Sequence, residues 1–396
     1  MGLRFSFGWV CLLLSLLVLA TEAHRQIKIF NVEKYGASAD GVTDNSEAFV
    51  KAWNEACEWT GRARVWIPNG TYMLNSVKFE GPCKGPIAFV IKGILKAPSD
   101  PSKFFTENWI NFQNLDQLTV SGGGFLDGQG KEAWPFNDCH ENSNCPLLPT
   151  TMRFDFVTNS WVHHLRSINS KNTHFVVFGC ENFNITKSRI SAPGDSPNTD
   201  GIKMANSNGI TIKRVAIHTG DDCIAMLPGT RNVSISNVVC GPGHGISIGS
   251  LGKDGDQNDV TDISVRNCTF YNSTNGVRIK TWASPGIGKV SNLIYEDIFM
   301  NHVDNPVIID QEYCPYPPCN QQPSRVQISN VTYKNIWGIS ASKVAVSLHC
   351  SQSRPCSDVM LENINLPYNG REGDATAFCS NVKGLTLGQQ NPPSCI

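Results

Sequence analysis

Four short clusters carry the residue types that could do acid–base chemistry: Asn198-Thr199-Asp200, Gly220-Asp221-Asp222, Gly243-His244-Gly245 and Arg278-Ile279-Lys280. Three carboxylates crowded together resist full ionisation, because each negative charge raises the pKa of its neighbours. One of them can then hold a proton while another stays anionic, the division of labour that cleavage of a glycosidic bond requires. Arg278 and Lys280 stand two apart, so on a strand they share a face. An arginine placed there can grip a carboxylate with two parallel hydrogen bonds. A sugar polymer bearing carboxylates would use both halves, the acids for cleavage and the cations for binding. Taken singly, an Asp-Asp pair after glycine reads as a solvated turn, and Arg278 and Lys280 as surface charge. Spacing is what raises the catalytic reading.

From Asp200 to Asp222 and from Asp222 to His244 the step is the same, about 22 residues, which is the length of one coil in a β-solenoid. Coils stacked about 4.8 Å apart would bring the three acids and the histidine into one cluster. A metal is the rival use of three aspartates: calcium takes such oxygens, and His244 would favour a transition metal. The nearest approach to a calcium loop, Asp254-Gly255-Asp256-Gln257-Asn258, has Asp259 where glycine is needed and Val265 in place of the closing glutamate. It reads as an exposed loop.

The elements that must position these residues are short and alternating. Ile202-Lys203-Met204, Ile224-Ala225-Met226, Ile246-Ser247-Ile248 and Val277-Arg278-Ile279 read as strands beside each cluster. A second series, Phe183-Asn184-Ile185, Ile210-Thr211-Ile212, Val233-Ser234-Ile235, Ile263-Ser264-Val265, Leu293-Ile294-Tyr295 and Val326-Gln327-Ile328, recurs at roughly 23 to 33 residues. A propeller would repeat at about 40 to 45. The expected architecture is all-β, a parallel β-helix of roughly ten coils, with Asn169, Asn237 and Asn335 at left-handed corners or in stacked amide ladders. Near the start, Asp44 and Glu47 make a capping-box pattern, and Phe49, Trp53 and Ala56 recur at helical spacing. A helix from about Ser46 to Trp59 is therefore expected to cap the open end of the solenoid.

The 396 residues show no linker, low-complexity tract or long charge run, so residues 24–396 are expected to form one domain. Apolar residues at 40 % and charged residues at 17 % suit a folded core. A net charge of -1 predicts no nucleic-acid partner, and any attraction for an acidic ligand must be local. Residues 1–23 read as a signal peptide: Arg4, an apolar run from Trp9 to Ala20, and small residues to Ala23. That run falls short of the roughly 20 apolar residues of a membrane span, and no later stretch supplies them.

Of 15 cysteines, Cys11 falls in the leader, which leaves an even number for an oxidising compartment. Cys139 with Cys145, Cys314 with Cys319, Cys350 with Cys356 and Cys379 with Cys395 could staple loops. Cys223 and Cys240 could brace the acidic cluster, and Cys180 and Cys268 could equally be buried thiols. Sequons at Asn69, Asn184, Asn232, Asn267, Asn272 and Asn330 permit glycosylation. His163-His164, His174 and His218 read as hydrogen-bond partners in turns. Lys203 and Lys253 could add positive charge along a groove, Met204 and Met226 belong inside the coils, and Gly122-Gly123-Gly124 is a turn.

In this order, the four clusters resemble the signatures of the polygalacturonases, glycoside hydrolases of pectin. Supporting likeness runs over nearly the whole mature chain: Tyr35-Gly36-Ala37 with Asp40-Gly41, Asp127-Gly128-Gln129-Gly130, and Asp310-Gln311-Glu312-Tyr313-Cys314. The segment Gly81-Pro82-Cys83-Lys84 and the tail from Cys379 to Cys395 look most like plant members, especially the pollen-type exo-acting ones. The resemblance implies a right-handed parallel β-helix and metal-free, inverting hydrolysis of α-1,4 bonds between galacturonic acid units, with no cofactor. It implies Asp221 as general acid, Asp200 and Asp222 as the carboxylates that activate water, and His244 as a tuner of the acid's protonation. It also implies Asn198, Arg278, Lys280 and Tyr313 as substrate contacts, the tyrosine by stacking on a sugar. The protein is then expected to be a secreted monomer acting on homogalacturonan in the cell wall. Endo action, a calcium-dependent pectate lyase on the same scaffold, and a non-catalytic pectin-binding wall protein are the alternatives.

Overall fold

The computed structural model describes residues 27–138, 145, 147–253, 259–315, 317–319 and 322–396. The leader at 1–23, the loop from Asp254 to Asn258, and Cys139 with its pairing to Cys145 lie outside the described residues.

Alternation of apolar and other residues winds the chain into a parallel β-helix. One side is a sheet of eleven parallel strands. They are β1 (Val77–Glu80), β2 (Asn108–Gln113), β3 (Thr150–Asp155), β4 (Phe175–Phe178), β5 (Ile202–Ala205) and β6 (Ile224–Met226). They continue as β7 (Ile246–Leu251), β8 (Asn275–Trp282), β9 (Asn305–Tyr313), β10 (Val344–His349) and β11 (Thr376–Ser380). Early coils cross the opposite sheet in two short strands. Later these merge into long strands such as Val260–Tyr271 and Ile287–Val303.

Register follows the hydrophobic pattern. Ile202, Ile224, Ile246 and Val277 lie one above another, as do Met204, Met226, Ile248 and Ile279. All eight are fully buried, so Met204 and Met226 are coil interior. A one-residue slip would turn both columns outward, which is why the register is strongly specified. At the corners, Asn169, Asn237 and Asn335 adopt φ of 49°, 55° and 51°. The amides also stack: Asn363 donates to Asn335 at 3.1 Å, and Asn330 to Asn292 at 2.9 Å.

The helix α1 (Ser46–Cys57) closes the N-terminal end, burying Phe49, Ala52, Trp53 and Ala56. It stops two residues short of the expected Trp59, which is left exposed. Trp53 sits 5.0 Å from the Phe79 ring and donates its indole N–H to the Glu80 carbonyl at 3.1 Å. The expected capping box does not form. Asn45 is the N-cap, and its side-chain amide donates to the carbonyls of Ser38, Thr43 and Met73. Asp44 instead accepts from Ser46, and Glu47 is drawn to Lys51 at 2.6 Å. The pairs Cys223–Cys240, Cys314–Cys319, Cys350–Cys356 and Cys379–Cys395 are bonded, and Cys180 and Cys268 are buried thiols. A further bridge, Cys57–Cys83, ties the end of α1 to the first coils.

Candidate active site

Asp200, Asp222 and His244 each sit two residues ahead of the first core residue of β5, β6 and β7, so the paired register of those strands aligns them. Backbone bonds between coils fix the stack. Gly201 N–H donates to Asp222 O at 2.9 Å, Cys223 N–H to Gly245 O at 2.8 Å, and His244 N–H to Asp221 O at 2.9 Å. The turn into β7 demands glycine: Gly245 has φ +87°, and a Cβ there would collide with the Gly276 carbonyl oxygen. Beneath the pair of aspartates, the Thr199 hydroxyl accepts from Gly220 N–H at 3.0 Å, and the Cys223–Cys240 bridge braces the coil.

Each carboxylate has a different environment. Asp222 is buried, and both its oxygens are taken. Oδ1 accepts from Arg278 at 2.6 Å and Ser247 at 2.8 Å, and Oδ2 from Lys280 at 2.8 Å. Burial alone would push its pKa up, but Lys280 and Arg278 outweigh it and hold Asp222 well below the usual carboxylate range. Asp200 is buried with one cation, Lys203, at 3.1 Å. Burial dominates there, helped by Asp221 and Asp222, and raises Asp200 to about 7. Asp221 is the most open of the three, its side chain 21 % exposed against 6 % for Asp200 and 3 % for Asp222. Burial raises it too, but the bond from His244 Nδ1 at 3.1 Å turns the balance and lowers it. The same bond raises His244 against the opposing effect of burial.

Arg278 and Lys280 do share a face, and in the free chain both are spent on Asp222. Lys280 also lies 5.2 Å from the centre of the Tyr313 ring, which meets Trp282 edge-on at 5.4 Å. Asn198 has φ 55° and accepts from Asn137 at 3.0 Å, so the loop 128–149 reaches the site. Two further residues belong to the site without standing out in the sequence: Ser247, which bridges Asp222 and Arg278, and Asn275, which donates to the His244 carbonyl at 3.2 Å. Ser247 was findable, as the outward residue of Ile246-Ser247-Ile248 in register with Arg278. Lys203 occupies the same position on β5. Lys253 instead covers Trp282 at 5.3 Å. Among the histidines, His174 is buried and bonded to Ser167, His218 faces Gly241 O and Tyr271, and His163 faces His164.

Ligand atoms of Asp221, Asp222 and His244 lie within 4.8 Å of one another, close enough to share an ion. Two cations already neutralise Asp222, however, so a metal there would have to displace Arg278 or Lys280. The arrangement suits proton transfer better: one fixed anion, one carboxyl that keeps its proton to near neutrality, and one open carboxyl coupled to a histidine.

Residues 57–395 match the family model described as glycosyl hydrolases family 28, and residues 29–79 match one described as rhamnogalacturonase A/epimerase, pectate lyase-like. The chain is 49 % identical over 366 residues to an exopolygalacturonase of Platanus acerifolia, covering 92 % of this chain and 97 % of that one. It is 47 % identical to a polygalacturonase of Gossypium barbadense, covering 92 % and 89 %. Among solved structures it resembles the endo-xylogalacturonan hydrolase of Aspergillus tubingensis, with TM-score 0.79, 25 % identity and coverage of 92 % and 100 %. The winding is that of the right-handed parallel β-helix.

Proposed function

The chain belongs to glycosyl hydrolase family 28, and on that premise we propose that it hydrolyses the α-1,4 bonds between galacturonic acid units of pectin, taking units from one end. The observation that carries this reading is the gathering of Asp200, Asp221 and Asp222 from two successive coils beside Arg278 and Lys280. In the mechanism, Asp221, the open carboxyl, gives a proton to the leaving glycosidic oxygen. Asp222, kept anionic by its two cations, and Asp200 polarise the water that attacks the opposite face of the sugar, with inversion. His244 decides where the shared proton rests. A charged His244 keeps Asp221 anionic and leaves the proton on Asp200, whereas a neutral His244 lets Asp221 hold it. Substrate carboxylates compete with Asp222 for Arg278 and Lys280, and Tyr313 offers a ring face to a sugar. The five described disulfides suit a secreted protein working in the cell wall as a single catalytic unit, and a monomer suffices because the proposed residues all come from one chain.

Incubation with polygalacturonate is the test. New reducing ends should appear, with monogalacturonate as the early product and no rise in ultraviolet absorbance. Absorbance growth that a chelator stops would mean elimination, and binding without release would mean a wall-binding protein. Asp221→Asn should lower kcat by about 10²- to 10⁴-fold without loss of fold, as removal of a general acid does. Unchanged turnover would remove Asp221 from the mechanism.

A further inference from the structure

On the α1 side of the acids, the outward faces of β3, β4 and β5 carry a pocket. A cavity of about 360 Å³ lies over the outward residues of β3, β4 and β5 and is lined by Arg153, Phe178, Lys203, Asn172, Asn198 and Leu148. Leu147 and Leu148 stand in its wall, and two side-chain bonds tie the chain at and before them to the neighbouring coils. Asn137 donates to Asn198 at 3.0 Å, and Asn172 donates to the Leu148 carbonyl at 2.9 Å. The catalytic coil borders the other side, since Lys203 of the lining is the partner of Asp200.

Of the two cations in the lining, Arg153 is the farther from the acids. It is the outward side chain between the fully buried Met152 and Phe154, and it aligns through Val176 with Lys203. That places it two coils, about 10 Å, from Lys203. Its Nε is held by both oxygens of Asp155, at 2.8 and 3.0 Å, and Asp155 is held in turn by Asn111 at 2.7 Å. Its guanidinium lies 5.2 Å from the centre of the Phe178 ring. One edge and one face of the guanidinium are thus fixed. Among the described residues no acceptor takes its two terminal nitrogens, although the side chain is only 28 % exposed. A half-buried fork with unspent donors, pre-oriented at the wall of a pocket, suits a planar anion.

We propose that Arg153 binds the carboxylate of the terminal uronic acid in this pocket, and so makes a charged end unit a condition of efficient cleavage. This rests on the polygalacturonate reading and adds to it a residue that selects the chain end. Glu107 on the rim would repel a second carboxylate, and Asp155 balances Arg153 when the pocket is empty.

The experiment compares two oligogalacturonates that differ only at the unit released first, one with its carboxylate and one with that group reduced to the alcohol. Wild-type kcat/KM should favour the acid-ended substrate by about 10- to 100-fold. In Arg153→Met the ratio should collapse to within about threefold of unity, while cleavage of the neutral-ended substrate stays near the wild-type rate. Arg153→Lys, which keeps the charge but not the fork, should reduce the ratio at least threefold and covers the case in which the methionine variant does not fold. Equal wild-type rates on both substrates, or an equal loss on both in the variants, overturns the proposal. Absence of sugar release from either substrate by the wild type would instead refute the activity itself.

Discussion

Three aspartates of one residue type behave as three different groups because their neighbours differ. Asp222 has two cations, Asp221 a histidine, and Asp200 a single lysine that does not offset its burial. The site therefore needs one shared proton, and activity should fall as pH rises through about 7, where Asp200 gives it up. Stability carries the same signature. The native pKa of Asp200 is raised above its unfolded value, so the native state binds more protons between about pH 4 and 7. The contribution of Asp200 to stability then falls across that window. Asp200→Asn is a neutral stand-in for the protonated acid and removes this titration, so its melting temperature should change less between pH 5 and 8 than that of the wild type. A parallel decline of the two would show that Asp200 is not the titrating group. Stereochemistry is a separate test. The adjacent Asp221 and Asp222 have ligand atoms within 4.8 Å, closer than the roughly 6.5–9.5 Å between the carboxyls of inverting pairs. Proton NMR of the first turnovers should show the β-anomer, and an α-anomer would mean that a carboxylate attacks the sugar directly.

At the scale of elements, what could be read in the sequence was whatever repeats. The equal steps from Asp200 to Asp222 to His244 gave the coil, and the coil gave the cluster, because parallel register leaves side chains no freedom about which face they take. Ser247 and Arg153 escaped, since each is an ordinary residue until its strand neighbours are known. The Cys57–Cys83 bridge escaped for a related reason: its partners belong to different elements, a helix end and a loop, with no repeat to connect them. The N-cap was misplaced because Asp44 and Asn45 are both good caps and tertiary contacts chose between them. Asn45 is spent on three carbonyls that close the turn before α1. The helix itself was legible from Phe49, Trp53 and Ala56. Its role predicts that Trp53→Ala, which empties a fully buried site against Phe79 and Phe112, should cost about 3–5 kcal/mol in urea denaturation. A cost below about 1 kcal/mol would mean that the cap is not part of the cooperative core.

For the whole molecule, an elongated solenoid presents its groove along its axis, so a polymer lying there meets one strand after another. An open groove cuts anywhere along the polymer, and a groove closed at one end cuts a fixed distance from it. Closure is not a property of the repeat. An end to the groove has to come from an insertion such as that between Asp127 and Thr150, which shows in the sequence only as a drift in spacing. The described part of that loop reaches the site at Asn137 and the pocket wall at Leu148. Neither contact includes a proposed catalytic carboxylate, so shortening the loop is expected to change where the chain is cut rather than whether it is cut. Replacing residues 131–147 by a short Gly-Ser turn should therefore preserve reducing-end release within about tenfold, because loop length alone costs the fold little. Over time, chromatography of the products should change from monogalacturonate to a ladder of mixed lengths. Monomer alone from the shortened chain would show that something other than this loop terminates the groove.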